Sequence, residues 1–158
     1  MAERHMVPMR DGVSLETYVY LPAGEGPFPA LLARCQYGTE KQEEKALRFV
    51  AAGYAVALQN VRGRKGSEGD LLGTGFRGED GFDTIDWMAG QPWCSGRAGT
   101  FGGSALAKVQ TAAALLAHPA HRAMCPQVLP FGMMSRLGGA PMFSQIPHLM
   151  LPVVTDMR

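Results

Sequence analysis

Neither sign of charge dominates this chain: 15 lysines and arginines stand against 14 aspartates and glutamates, for a formal net charge of +1. A surface so near neutrality lacks the field that recruits a polyanion or an anionic bilayer, so nucleic-acid binding has no electrostatic basis here. Cysteine is scarce too. Cys35, Cys94 and Cys125 are odd in number, widely separated and in no C-x-x-C pair, a spacing that suits neither a zinc site nor a disulfide framework and fits a reducing, cytoplasmic setting. No stretch of 18 uninterrupted apolar residues occurs, and Met1-Ala2-Glu3-Arg4-His5-Met6 lacks the apolar core of a secretory signal, so neither a membrane span nor secretion is expected.

Cofactor and metal signatures are missing as well. There is no G-x-x-x-x-G-K-[ST] loop and no H-E-x-x-H pair, which leaves nucleotide hydrolysis and metal-dependent chemistry without a motif. Gly73-Thr74-Gly75-Phe76-Arg77-Gly78 matches G-x-G-x-x-G. It follows a polar loop instead of issuing from a buried strand, and that context argues against dinucleotide binding. No cofactor is expected.

What is present is enough apolar material for a core: 46% hydrophobic and 18% charged residues over 158 positions read as one globular domain. The opening reads as a hairpin, with Met6-Val7-Pro8-Met9, a tight Asp11-Gly12 turn, and Val13, Leu15, Thr17 and Val19 alternating with Ser14, Glu16, Tyr18 and Tyr20. Unbroken apolar runs at 30–33 and 54–58 suit strands covered on both faces. Helical spacing is expected over 41–52, closed by Gly53, over 80–89, and over 105–117, with further short strands at 98–101 and 122–128. Helices alternating with strands after an antiparallel entry predict an α/β sheet, mostly parallel, with helices on both faces. In such a sheet the loops at Gln36-Tyr37-Gly38, 62–69 and Gly102-Gly103-Ser104 converge on one edge.

The chemically informative stretch is Arg97-Ala98-Gly99-Thr100-Phe101-Gly102-Gly103-Ser104-Ala105-Leu106-Ala107. A strand that ends in glycines and turns sharply into a helix can lift a serine hydroxyl out of the sheet and aim backbone N–H groups at a developing oxyanion. The G-x-S-x-G spacing is only half met, because Gly102 is in place but Leu106 stands where the second glycine belongs.

Other parts of the chain agree with that reading in order. Val7-Pro8-Met9-Arg10-Asp11-Gly12-Val13, Pro27-Phe28-Pro29-Ala30-Leu31-Leu32 with Tyr37-Gly38, Gly53-Tyr54-Ala55-Val56 with 59–69, Asp83-Thr84-Ile85-Asp86-Trp87, and Gln91-Pro92-Trp93 with Gly96-Arg97 all precede Gly102-Gly103-Ser104. This series resembles the X-Pro dipeptidyl-peptidase and cocaine esterase family of α/β-hydrolases, over about residues 7–128. The resemblance implies a serine hydrolase of acyl esters or amides and peptides, with Ser104 as nucleophile, Tyr37 placing its hydroxyl in the oxyanion hole, and the backbone N–H of Ala105 as the second donor. Each such donor is worth about 3 kcal/mol of transition-state stabilisation. The plainer reading of Tyr37 is an aromatic ring packed at a strand end. Where the family usually carries tyrosine and glycine, this chain has Ala105 and Ala107.

The family's acid and histidine lie beyond a cap region, far downstream of the nucleophile, and only the stretch from Ala105 to Arg158 follows Ser104 here. The general base is therefore expected to be absent, with His118, His121, His148 and Asp156 read as surface or loop residues. Two segments are expected: 1–128 as the N-terminal part of the hydrolase domain, truncated before its cap and last strands, and 129–158 as the start of a cap or a poorly packed tail, proline-punctuated and methionine-rich. Strand 122–128 would then be an exposed edge open to self-association. A non-catalytic fragment or pseudoenzyme serving as a binding or assembly module is the competing expectation. Arg62, Arg64 and Lys65 are read as a structural loop paired with Glu68 and Asp70, and Trp87 and Trp93 as core and loop anchors.

Overall fold

The two apolar runs lie at the centre of a six-stranded sheet whose spatial order is β1-β2-β4-β3-β5-β6. The computed structural model describes residues 2–71 and 77–128. Its strands are β1 (Glu3–Pro8), β2 (Ser14–Tyr20), β3 (Phe28–Cys35), β4 (Ala55–Asn60), β5 (Cys94–Gly103) and β6 (His121–Gln127). The helices are α1 (Glu43–Ala51), α2 (Gly78–Ala89) and α3 (Ala105–Ala114). The expected hairpin forms, with Val7 opposite Leu15 and Met9 N–H donating to the Val13 carbonyl at 2.8 Å across the Asp11-Gly12 turn. β2 lies antiparallel on β4, and from there β4, β3, β5 and β6 run parallel.

Alternation explains why β3 and β4 read as unbroken apolar runs. Ala30, Leu32, Ala55 and Ala57 face one cluster with Ile85 and Met88 of α2, while Ala33, Cys35, Val56 and Leu58 face a second with Ala46, Phe49 and Val50 beside α1. Both faces are covered, so both parities are apolar up to the C-terminal ends of the strands, where the buried Arg34, Gln59 and Asn60 are hydrogen-bonded. All six residues of β4 are buried, and a fully buried leucine such as Leu58 contributes about 2 kcal/mol.

Several element bounds differ from the sequence expectation: α3 ends at Ala114, short of 117, and β3 runs over Phe28–Cys35, beyond 30–33. The segment 41–52 divides into a 3₁₀ turn at Thr39–Gln42 and then α1. Helix α1 stops where expected: Gly53, at φ 89°, donates to Val50 O at 3.0 Å and Tyr54 N–H reaches Phe49 O at 3.1 Å, the paired bonds of a glycine-terminated helix. Strand β5 is ten residues long, not four. Its glycines hid it, yet pairing to β3 on one side and β6 on the other carries it well beyond 98–101. At Gly99 an added Cβ would lie 3.0 Å from Leu31 Cδ2, so a larger residue would need that side chain to shift.

Helices α2 and α3 approach so closely that a Cβ on Gly81 would fall 2.5 Å from Ala113 Cβ. Where these helices meet the sheet, charge is buried. Asp80 accepts from Arg34 Nη2 at 3.1 Å and from Arg62 Nη2 at 2.7 Å, and Arg62 reaches on to Asp11 at 2.9 Å, where Arg77 also binds at 3.0 Å. This corrects the expected pairing of Arg62: its carboxylate partners are Asp80 and Asp11, because the turn at Gly63 (φ 65°) sends the arginine inward while α2 brings Asp80 to the end of β4. Glu68 accepts instead from Ser14 N–H at 2.8 Å, and Lys65 pairs with Glu40 at 3.3 Å. The loop is structural, as expected. Trp87 and Trp93 both pack against the core cluster, edge to face at 6.2 Å. Most of the G-x-G-x-x-G segment and the tail 129–158 lie outside the described residues.

Candidate active site

Strand β5 ends in Gly102 and Gly103, and the chain reverses into α3 through Ser104. Ser104 has φ 55° and ψ −113°, a conformation that L residues seldom adopt and that costs on the order of 1–3 kcal/mol unless the surroundings impose it. They do so through hydrogen bonds on both sides of the residue. Its N–H donates to Gln127 O of β6 at 2.9 Å, and its carbonyl accepts from Ala107 N–H at 3.0 Å and Lys108 N–H at 3.2 Å, the opening bonds of α3. The main chain of Ser104 is thus tied to strand and helix while its side chain is exposed.

Ala105, the first residue of α3, is buried. Its amide belongs to the first helical turn, whose N–H groups have no intrahelical acceptor and carry the positive end of the helix dipole. Tyr37 stands two residues beyond β3, half buried, with the Lys41 ammonium 5.7 Å from its ring centre. Because β3 and β5 are adjacent and parallel, the Tyr37 loop and the Ser104 turn share one edge of the sheet, with the 62–69 loop after β4 beside them.

The absence of a second glycine after Ser104 has a structural explanation. Gly102, at φ 131°, lies so close to Leu106 that an added Cβ would be 2.6 Å from Leu106 Cβ. The crowding at this corner is relieved from one side, and the Leu106 side chain joins the core cluster with Phe101. Ala107 is fully buried and leaves the first helical bonds intact.

The two described histidines after α3 are held elsewhere. His118 is buried, takes the Ala120 N–H on Nδ1 at 3.1 Å, places Nε2 3.2 Å from Asp86 and meets Phe82 edge-on. His121 Nε2 lies 3.0 Å from Thr100 Oγ1, and burial pushes its pKa down. His121 pairs with Ala98, whereas Gln127 pairs with Gly103 beside the elbow. Six residues of strand separate the two ends, roughly 20 Å at the rise of an extended chain. Among the described residues, Ser104 Oγ has no hydrogen bond to a histidine.

One buried residue near the turn gave little warning in the sequence. Gln110 of α3 is 3% exposed and donates through Nε2 to Gly102 O at 2.9 Å and Leu106 O at 3.1 Å. Its signal was a glutamine on the apolar side of an alanine-rich helix, in line with Leu106 and Ala113.

The sequence profile of the X-Pro dipeptidyl-peptidase (S15) family matches residues 11–150. The chain belongs to that family. It is 38% identical over 134 residues to the cocaine esterase of Rhodococcus sp. (strain MB1 Bresler), covering 81% of this chain and 23% of that protein. Among solved structures, an α-amino acid ester hydrolase superposes with a TM-score of 0.71 at 29% identity, covering 78% of this chain and 24% of that one. A CocE/NonD family hydrolase from Staphylococcus aureus gives 0.70 at 29% identity, covering 77% and 26%. The chain thus spans about a quarter of the length of these relatives. Its sheet, antiparallel at the hairpin and then parallel, has the α/β-hydrolase architecture of these neighbours. Among the described residues no helix is long and apolar enough to cross a membrane, and no group of three acidic, histidine or cysteine side chains could hold a metal.

Proposed function

We propose that this S15-family chain carries the nucleophile half of a serine hydrolase acting on small acyl esters, amides or peptides. In that reading Ser104 Oγ attacks the acyl carbon and passes its proton to a general base. The carbonyl oxygen takes up the negative charge and is met by the Tyr37 hydroxyl and the Ala105 N–H. Collapse of the tetrahedral intermediate expels the alcohol or amine, and water then hydrolyses the acyl-serine. The observation that carries this is the exposed serine held at φ 55° between strand and helix, a strained turn with little reason to exist unless the hydroxyl must be presented.

Base and acid are proposed to lie in the family's further length, with residues 1–128 forming the hydrolase core and 129–158 leading into the cap. The buried Cys35 and Cys94, which form no disulfide, support a cytoplasmic setting. No cofactor enters the proposed chemistry. Removing the histidine of an assembled serine triad lowers turnover about a millionfold in subtilisin, so this chain alone is expected to hydrolyse p-nitrophenyl acyl esters negligibly.

The second reading, a binding or assembly module, is favoured by the absence of a histidine on Ser104 Oγ among the described residues and by the edge strand β6. Met124 is exposed on it and Val128 just past its end, which suits pairing of two copies. Fluorophosphonate labelling separates the readings. In a form extended through the family's remaining length, Ser104 should label and Ser104→Ala should not. Equal labelling of both, or none in either, would remove the hydrolase reading.

A further inference from the structure

The geometry points to Gln110 as the positioning residue of the Ser104 turn: one side-chain amide binds the carbonyls two residues before and two residues after the serine, and so sets the bend that presents it. This assignment rests on the proposed role of Ser104. Gly102 O and Leu106 O lie at 2.9 and 3.1 Å from the same nitrogen, one at the end of β5 and the other in the first turn of α3. Register with β3 ends at Thr100, opposite Leu32.

Stability alone accounts poorly for a glutamine here. Its Oε1 is buried without a hydrogen-bond partner, a loss that offsets much of what the two donated bonds contribute. An apolar side chain would fill the same space in an otherwise apolar helix face. What it could not do is hold the two carbonyls at a common point. With both held, Ser104 is confined to its strained backbone and the Ala105 N–H keeps its direction, as preorganised oxyanion donors require.

Native-state amide exchange on the 158-residue chain tests this. In Gln110→Met the amides whose bonds define the turn, Ser104, Ala107 and Lys108, should exchange about tenfold faster or more, while those of Leu32 and Ala57 at the sheet centre keep their rates. Unchanged exchange at the three amides would overturn the assignment. So would uniform acceleration across the sheet with a lowered melting temperature, the mark of a merely structural residue. Should the variant not fold, wild-type NMR decides: a through-hydrogen-bond coupling from the Gln110 side-chain nitrogen to the Gly102 carbonyl carbon is expected, and its absence would refute the proposal. Exchange reads the turn whether or not Ser104 reacts, so failure of the hydrolase reading would show separately, as an unlabelled Ser104 in the extended form.

Discussion

Gly102 and Leu106 touch across the Ser104 turn, backbone against side chain, with only 2.6 Å between a Cβ built on the glycine and that of the leucine. Gly102→Ala combines this collision with a side chain at φ 131° and should destabilise the protein by about 2–4 kcal/mol. Leu106→Gly in the same chain removes the collision partner. A double-mutant cycle measured by chemical denaturation should then give a favourable coupling of about 1 kcal/mol or more; strict additivity would show that the contact is not the source of the cost.

Ser104 itself should be a site where function opposes stability. Glycine tolerates φ 55° without the steric cost that serine bears, so Ser104→Gly should raise stability by about 1 kcal/mol while removing the hydroxyl. Thermal unfolding of Ser104→Gly beside Ser104→Ala checks this, since alanine keeps the strained Cβ and should show no comparable gain.

Asp80 is the sole carboxylate bound to Arg34 among the described residues, at side-chain exposures of 1% and 2%. Asp80→Asn leaves that guanidinium buried without a counter-charge and halves the acidic partners of Arg62. A loss of about 3–5 kcal/mol is expected, read as a fall in denaturation midpoint. A change below 1 kcal/mol would mean that water or rearrangement compensates the charge.

Acid should weaken the hairpin's tie to the arginine cluster. The Arg62 hydrogen bond holds the Asp11 carboxyl down at about 2, against an ordinary value of 3.8. A carboxylate depressed by folding stabilises above its unfolded pKa and loses that contribution as pH falls through the folded value. The decline attributable to Asp11 therefore lies between about pH 4 and pH 2. Asp11→Asn should lower the melting temperature at pH 7 and flatten the acid limb of circular dichroism titrations in that window; an unchanged limb would show that Asp11 is not responsible.

The sheet was largely legible beforehand, and so was the turn that bears Ser104. Apolar runs bounded by Gly53 or by proline and glycine clusters signal buried strands directly, and Asp11-Gly12 between alternating residues signals the hairpin. Strand β5 was undercounted because Gly96, Gly99 and Gly102 lower local propensity, while its two neighbours supply the missing drive. The partners of Arg62 were misread because proximity along the chain favoured Glu68 and Asp70. The carboxylates that bind it come from the hairpin turn, at Asp11, and from α2, at Asp80, eighteen positions on.

Alternation of apolar and polar residues, glycines at reversals and the order of motif blocks settled the class of fold, the family and the strand-to-helix turn that carries Ser104, because each is written in local spacing. Which groups brace that serine was decided only in three dimensions. Gln110 meets Gly102 because a helix doubles back along the strand it follows, and Gln127 meets Ser104 because β6 returns alongside β5. Hydrogen bonds of that kind depend on where separate elements come to rest, and no pattern of neighbouring residues records it.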